Sequence, residues 1–107
     1  MSNILRRVQT LVRSGDYIVS RHGFRELAAD DIVAEEALGG IEAAFVVEEY
    51  LESRKEPSVL VLQYDRGGRP IHVMWGVPRN AGRPAILVTA YRPAPERWSN
   101  DFKRRLK

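Results

Sequence analysis

Near the N-terminus, Ile4, Leu5, Val8, Leu11 and Val12 recur at helical spacing, with Arg6, Arg7, Gln9 and Arg13 off the stripe. This pattern predicts a helix over Asn3 to Arg13, capped by Ser2 or Asn3 and stopped at Gly15. Tyr17-Ile18-Val19 reads as a short extended piece. Ser20 then caps a second helix over Arg21 to Ala29, and a third is expected over Asp30 to Leu38. Asp30-Asp31 at its start and Gly39-Gly40 at its end suit the helix dipole and a left-handed stop. Phe24, Leu27, Ile32, Val33 and Leu38 supply the apolar faces of these two helices.

After the double glycine the period changes. Ala44 to Tyr50, Val59 to Tyr64, Ile71 to Val77 and Ala85 to Tyr91 read as strands. Asp65-Arg66-Gly67-Gly68-Arg69-Pro70 is a hairpin turn, and Pro78 to Pro84 is a loop. Trp98, Phe102 and Leu106 stand four apart and predict a short tail helix. Helices, then strands, then a small helix define an α+β fold. The N-terminal helices are expected on one face of a three- or four-stranded antiparallel sheet.

Strand alternation places Ile71, Val73, Trp75 and Val77 on one face and His72 and Met74 on the other. In the last strand it places Ile86, Val88 and Ala90 on one face and Leu87, Thr89 and Tyr91 on the other. If these strands are antiparallel neighbours, His72, Thr89 and Tyr91 gather away from the helices.

A length of 107 residues and 44% hydrophobic content fit one soluble globular domain spanning residues 1–107. The chain has no cysteine, which removes disulfides, thiolate zinc sites and cysteine nucleophiles together. No stretch reads as a signal peptide or membrane span, so a cytoplasmic protein without membrane association is expected. The net charge is only +3, but Arg66 to Lys107 carries ten basic residues against Glu96 and Asp101. The first 65 residues are therefore net acidic, and the basic half suits a polyanion by field rather than by fold.

Two constellations could do chemistry. His72, Thr89 and Tyr91 form one. The other is Ser20-Arg21-His22-Gly23-Phe24-Arg25, in which His22 and Arg25 share a helix face near an N-terminus that favours anions. Each has a plainer explanation: His22 as a surface or capping residue, His72 as a satisfied core histidine, Tyr91 as a strand end. Asp30, Asp31, Glu35 and Glu36 read as a solvated face, and Trp98 with Phe102 as a core seal. Gly67-Gly68 is a turn and no phosphate loop, since no helix follows it. No nucleotide-binding loop, Ser-His-Asp set or paired-carboxylate signature stands out, and no metal or cofactor is implied.

Ser20-x-His22-x-x-Arg25, Asp30-Asp31-Ile32, Pro57-Ser58-Val59-Leu60-Val61-Leu62, Gly68-Arg69-Pro70-Ile71-His72-Val73 and Thr89-Ala90-Tyr91-Arg92-Pro93-x-x-x-x-Trp98 succeed one another in order. Together they resemble the domain-of-unknown-function 4258 (DUF4258) family, from about Tyr17 to the C-terminus. One departure is Leu27-Ala28-Ala29-Asp30-Asp31, where the family has an Arg-Gly-Ile-type junction.

The resemblance implies a barnase- or RelE-like fold and kinship with small metal-independent ribonuclease toxins, some of the MqsR-like kind. It also implies RNA as substrate, free or on the ribosome, and an antitoxin-like partner such as a small zinc-finger protein. Carried over by motif, His22 and His72 become the acid–base candidates, Arg25 and Arg69 the charge stabilisers, and Tyr91 a proton donor or phosphate ligand. Thr89 and Arg92 join Arg69 as phosphate-binding candidates. Two rival readings are a non-catalytic RNA-binding module and a protein-interaction partner with no nucleic-acid affinity.

Overall fold

The computed structural model describes residues 2–53 and 56–106. Lys107, the last cation of the basic tail, lies outside the described residues.

Helix α1 (Asn3–Arg13) forms as the apolar spacing dictates. The Ser2 hydroxyl accepts the Leu5 N–H at 3.1 Å, and Ile4, Leu5, Val8 and Leu11 turn into the core. Strand β1 (Tyr17–Val19) leads to helix α2 (Arg21–Ala29), whose start is pinned twice by one side chain. Ser20 Oγ accepts from Gly23 N at 2.9 Å and donates to the Val88 carbonyl at 3.0 Å.

Helix α3 (Ala34–Gly39) is shorter than the expected Asp30–Leu38. Asp30 is the C-cap of α2, and Asp31 follows in the left-handed region at φ 56°. The Ile32 N–H returns to the Leu27 carbonyl at 2.8 Å, which drives the Ile32 side chain into the core. The acidic pair therefore builds a turn, and the next helix cannot begin until it is complete.

A 3-10 turn (Ile41–Ala43) leads to strands β2 (Phe45–Tyr50), β3 (Ser58–Tyr64), β4 (Pro70–Gly76) and β5 (Ala85–Tyr91). The sheet has five strands in the order β1-β5-β4-β3-β2. All neighbours are antiparallel except β1, which runs parallel to β5 with Ile18 opposite Ile86. The sheet is thus larger than the three or four strands expected and is mixed. Three residues of extended chain carry too little alternation to declare themselves a strand.

The core lies between the helices and one sheet face, where Val59, Val61, Ile71, Val73, Trp75, Ala85, Leu87 and Ala90 meet Val8, Leu11, Leu27 and Ile41. Leu87 belongs here, contrary to strict alternation. The register between β4 and β5 shifts at Met74/Trp75, so Met74 faces Thr89 while Trp75 faces Leu87. This bulge leaves Val88 unpaired and returns Leu87 to the helix side.

The expected tail helix does not form. Ser99 N–H bonds to the Arg104 carbonyl at 2.8 Å and Leu106 N–H to the Arg97 carbonyl at 2.8 Å, with Trp98 and Arg105 bridged antiparallel. The Asp101 carboxylate accepts from Ser99 Oγ and Lys103 N, and Phe102 sits at φ 61°. Ser99, Asn100 and Asp101 are turn formers whose side chains compete for backbone donors, so the segment folds into a looped hook.

Candidate functional site

The face of the sheet turned away from the helices carries Phe45, Glu48 and Tyr50 from β2, Leu60 and Leu62 from β3, His72 and Met74 from β4, and Thr89 and Tyr91 from β5. The expected gathering of His72, Thr89 and Tyr91 is present. His72 lies opposite Tyr91, and Met74 opposite Thr89.

The His72 side chain is 0% exposed. Its Nε2 lies 2.8 Å from the Phe102 carbonyl and its Nδ1 3.2 Å from the Tyr91 hydroxyl. A carbonyl can only accept, so Nε2 carries the hydrogen and Nδ1 accepts from Tyr91. Trp98 meets the imidazole edge-on at 4.4 Å between centroids. Burial pushes the His72 pKa below the ordinary histidine value; the Arg105 charge adds to this, while the Phe102 hydrogen bond and the Glu48 carboxylate oppose it. Burial likewise raises the Tyr91 hydroxyl.

The hook from Ala94 to Leu106 covers this cluster. Arg105 Nε bonds to Glu48 at 3.0 Å, and its guanidinium stacks on Trp98 at 4.7 Å from the ring centroid. The Lys103 ammonium sits 4.1 Å from the Phe45 ring centroid. The Arg105 hydrogen bond, opposed by burial, holds the Glu48 carboxyl below the usual range. Burial and a hydrogen bond to Glu48 raise the Tyr50 hydroxyl.

Helix α2 offers a different surface. Gly23 and Leu27 face inward, where a Cβ on Gly23 would come within 2.6 Å of the Leu87 carbonyl oxygen. The opposite side presents Arg21, His22, Phe24 and Arg25 to solvent, with Phe24 67% exposed. His22 and Arg25 thus share a helix, as expected. The two histidines are not partners: His72 is bonded to Tyr91 and Phe102, and His22 projects outward.

Arg69 is exposed in the β3–β4 turn, where its backbone N–H bonds to Asp65 Oδ1 at 2.9 Å. Arg92 is half-buried, its N–H donated to Asp30 Oδ2 at 2.7 Å and its guanidinium paired with Asp65 at 3.0 Å. Among the described residues, Arg92 Nε is buried without a partner. Asp30 is thereby committed to β5 instead of a solvated helix face. Among the described residues, no group of three or more His, Asp or Glu side chains is placed to hold a metal ion.

Sequence reasoning missed Glu48, Tyr50 and Arg105 on the outer face, and on α2 it named Arg21 and Phe24 within the Ser20–Arg25 run without giving either a functional role. The Glu48-Glu49 pair reads as an interruption of β2, because a bulge between Val46 and Glu48 hides that Glu48 and Tyr50 share the face of Phe45. Phe24 is expected on the apolar face with Leu27, but Gly23 and Leu27 define the inward side, and Phe24, one residue round from Gly23, faces solvent. Arg105 had no local signal, since its role comes from the hook.

Among the described residues, no helix is long and apolar enough to cross a membrane. No curated protein and no solved structure matches the chain. The family model for the Domain of unknown function (DUF4258) matches residues 19–92. The span takes in the Ser20–Arg25 helix start, the His72 strand and Tyr91-Arg92; it ends before Trp98, so the hook and α1 lie outside it. With more than half of its length matched, this chain belongs to the DUF4258 family.

Proposed function

We propose that the protein engages RNA through the solvent-facing side of α2 and cleaves it by metal-independent general acid–base chemistry, as a toxin of a toxin–antitoxin pair. The observation that carries this reading is the exposed set Arg21, His22, Phe24 and Arg25 on one capped helix. Two guanidiniums suit phosphate oxygens, and the exposed Phe24 ring on the same helix suits a stacked base of a single strand. Imidazole is the side chain that exchanges protons near neutrality.

In the proposed step His22 takes the proton of a ribose 2′-hydroxyl. The 2′-oxygen attacks the adjacent phosphorus, the bond to the 5′-oxygen breaks, and solvent protonates the leaving oxygen. A 2′,3′-cyclic phosphate and a 5′-hydroxyl result. Arg21 and Arg25 stabilise the extra charge on the phosphoryl oxygens. Arg69 in its exposed turn, and Thr89 and Arg92 near the end of β5, remain phosphate contacts of this proposal. The partner would be an antitoxin, for which the small zinc-finger protein of the family resemblance is the candidate. Val33, 59% exposed between α2 and α3, is apolar surface it would cover.

A second reading, a non-catalytic RNA-binding module, is favoured by one observation: both nitrogens of His72 are occupied and the ring is sealed. The two separate on single-stranded RNA incubated in excess chelator with the wild type, His22→Ala and Arg25→Gln. Chelator-resistant cleavage lost in a folded His22→Ala supports the enzyme. Salt-dependent binding with intact RNA, unchanged by His22→Ala, supports the binding module. Absence of binding by a folded wild type removes both.

A further inference from the structure

The hook from Ala94 to Leu106 adds no strand to the sheet, yet it lies against the ionisable side chains of the outer face. We propose that this segment is a strap that closes reversibly over an acid–base site made by Glu48, Tyr50, His72 and Tyr91. The substrate assignment rests on the RNA reading above; the strap itself does not.

Four observations converge. His72 is completely buried, yet Tyr91 is its only bonding partner in the sheet; its other nitrogen is satisfied by the strap, through the Phe102 carbonyl. Lifting the strap would therefore free Nε2 without disturbing the Nδ1 bond to Tyr91, leaving an imidazole oriented by a tyrosine and open on its other side.

The strap's grip on β2 is ionic and near solvent. Arg105 reaches Glu48 at 3.0 Å with 56% of its side chain exposed, and Lys103 reaches the Phe45 ring. Contacts of this kind are weak and screened by salt. At the contact with His72, Phe102 holds a left-handed backbone at φ 61°, a conformation an aromatic residue seldom adopts without surrounding constraint. The strap also lies beyond residues 19–92, the span shared with the family, whereas all four residues it covers lie within it.

The groups beneath complement one another. Glu48 and Tyr50 are hydrogen-bonded on β2, and His72 and Tyr91 on β4 and β5. The charged groups facing His72 are Glu48 and Arg105, and Arg105 belongs to the strap. When the strap leaves, that cation leaves with it and the Glu48 carboxylate loses its partner. The site then changes from a charge-paired cluster around a buried imidazole to a carboxylate, an imidazole and two phenols facing solvent. That set can accept a proton at one end and donate one at the other.

The two histidines supply an internal comparison for the test. Diethyl pyrocarbonate labelling, read by peptide mass spectrometry, is followed on the wild type and on Arg105→Ala and Lys103→Ala at low and high salt. In the wild type His22 labels freely and His72 slowly. With a reversible strap, His72 labelling rises about tenfold relative to His22 in Arg105→Ala and at high salt, while the urea midpoint stays in place. If His72 labels only when the whole protein unfolds, in wild type and variants alike, the strap proposal is overturned.

A second arm adds single-stranded RNA. Faster cleavage by Arg105→Ala, returned to the wild-type rate by Tyr91→Phe or Glu48→Gln in the same background, supports the acid–base site as an addition to the His22 surface. Opening without any gain in cleavage overturns that assignment; if RNA binding through α2 persists in that case, only the site has failed and the RNA reading stands.

Discussion

His72 and Tyr91 stand opposite each other on β4 and β5, and the tyrosine hydroxyl donates to Nδ1 across 3.2 Å. The Phe102 carbonyl fixes the hydrogen on Nε2, so Tyr91 must act as donor and His72 as acceptor. Tyr91→Phe keeps the ring and leaves a buried nitrogen unpaired. Such a loss costs about 1–3 kcal/mol, to be read as a lower urea midpoint with an unchanged slope.

The same pair sets a pH dependence. Burial lowers the folded-state pKa of His72, so between the unfolded value and the folded one the unfolded chain binds a proton that the native chain does not. Stability is then fully present above about pH 6.5 and falls as the solution is acidified, by at most about 1.4 kcal/mol per unit. Urea titrations at neutral pH and near pH 5.5 should show the loss, and His72→Gln should flatten it. The lowered carboxylates, Asp16, Glu48, Asp65 and Asp101, respond only at more acidic pH.

Two glycines should respond oppositely to alanine. At Gly23 the new methyl would lie 2.6 Å from a backbone oxygen of Leu87, which cannot swing aside. Gly23→Ala should cost about 1–3 kcal/mol by forcing α2 off β5. At Gly39, the last residue of α3, nothing lies within 4 Å of that position. Gly39→Ala should be neutral or gain up to about 1 kcal/mol, and thermal melts of the two variants make the comparison.

Ser20→Ala removes the cap of α2 and its bond to the Val88 carbonyl in one change. A loss of about 1–2 kcal/mol is expected, with faster amide exchange at Gly23 than at core positions of β4.

For RNA binding, Arg25→Gln should weaken affinity similarly across unrelated single-stranded sequences. It should also lower the slope of log K against log salt by about 0.7 if the guanidinium holds one phosphate. An unchanged slope would remove Arg25 from the interface.

Much of this fold was legible where one pattern ran long enough. The apolar stripe of α1 and the bounds of α2 and β5 follow the expected residues, and alternation places His72 and Tyr91 on one face on the condition of antiparallel neighbours, while their register comes from the structure. What escaped shares a physical cause: it depends on contacts distant in the chain. Leu87 changes face because a bulge inserts Val88, and no residue there announces a bulge. Tyr17–Val19 becomes a strand only because β5 presents a free edge. Trp98, Phe102 and Leu106 have helical spacing, but Ser99, Asn100 and Asp101 turn the chain first. The grouping of Glu48 with His72 needed both the β2 bulge and the hook, so the outer-face site could be read only in part.

The parallel pairing of Tyr17–Val19 with Ala85–Leu87 has a consequence for how the molecule comes into being. Chains emerge from the ribosome N-terminus first, and this contact joins segments far apart in the sequence, Tyr17 with Ala85. Until β5 has been synthesised, β1 has no neighbour, Ser20 has no carbonyl at Val88 to bond, and α2 has no bed beneath Gly23. The basic surface bearing His22 and Arg25 is therefore encoded early but assembled late, so a nascent chain does not display it in its native setting while most of the sheet is still unmade.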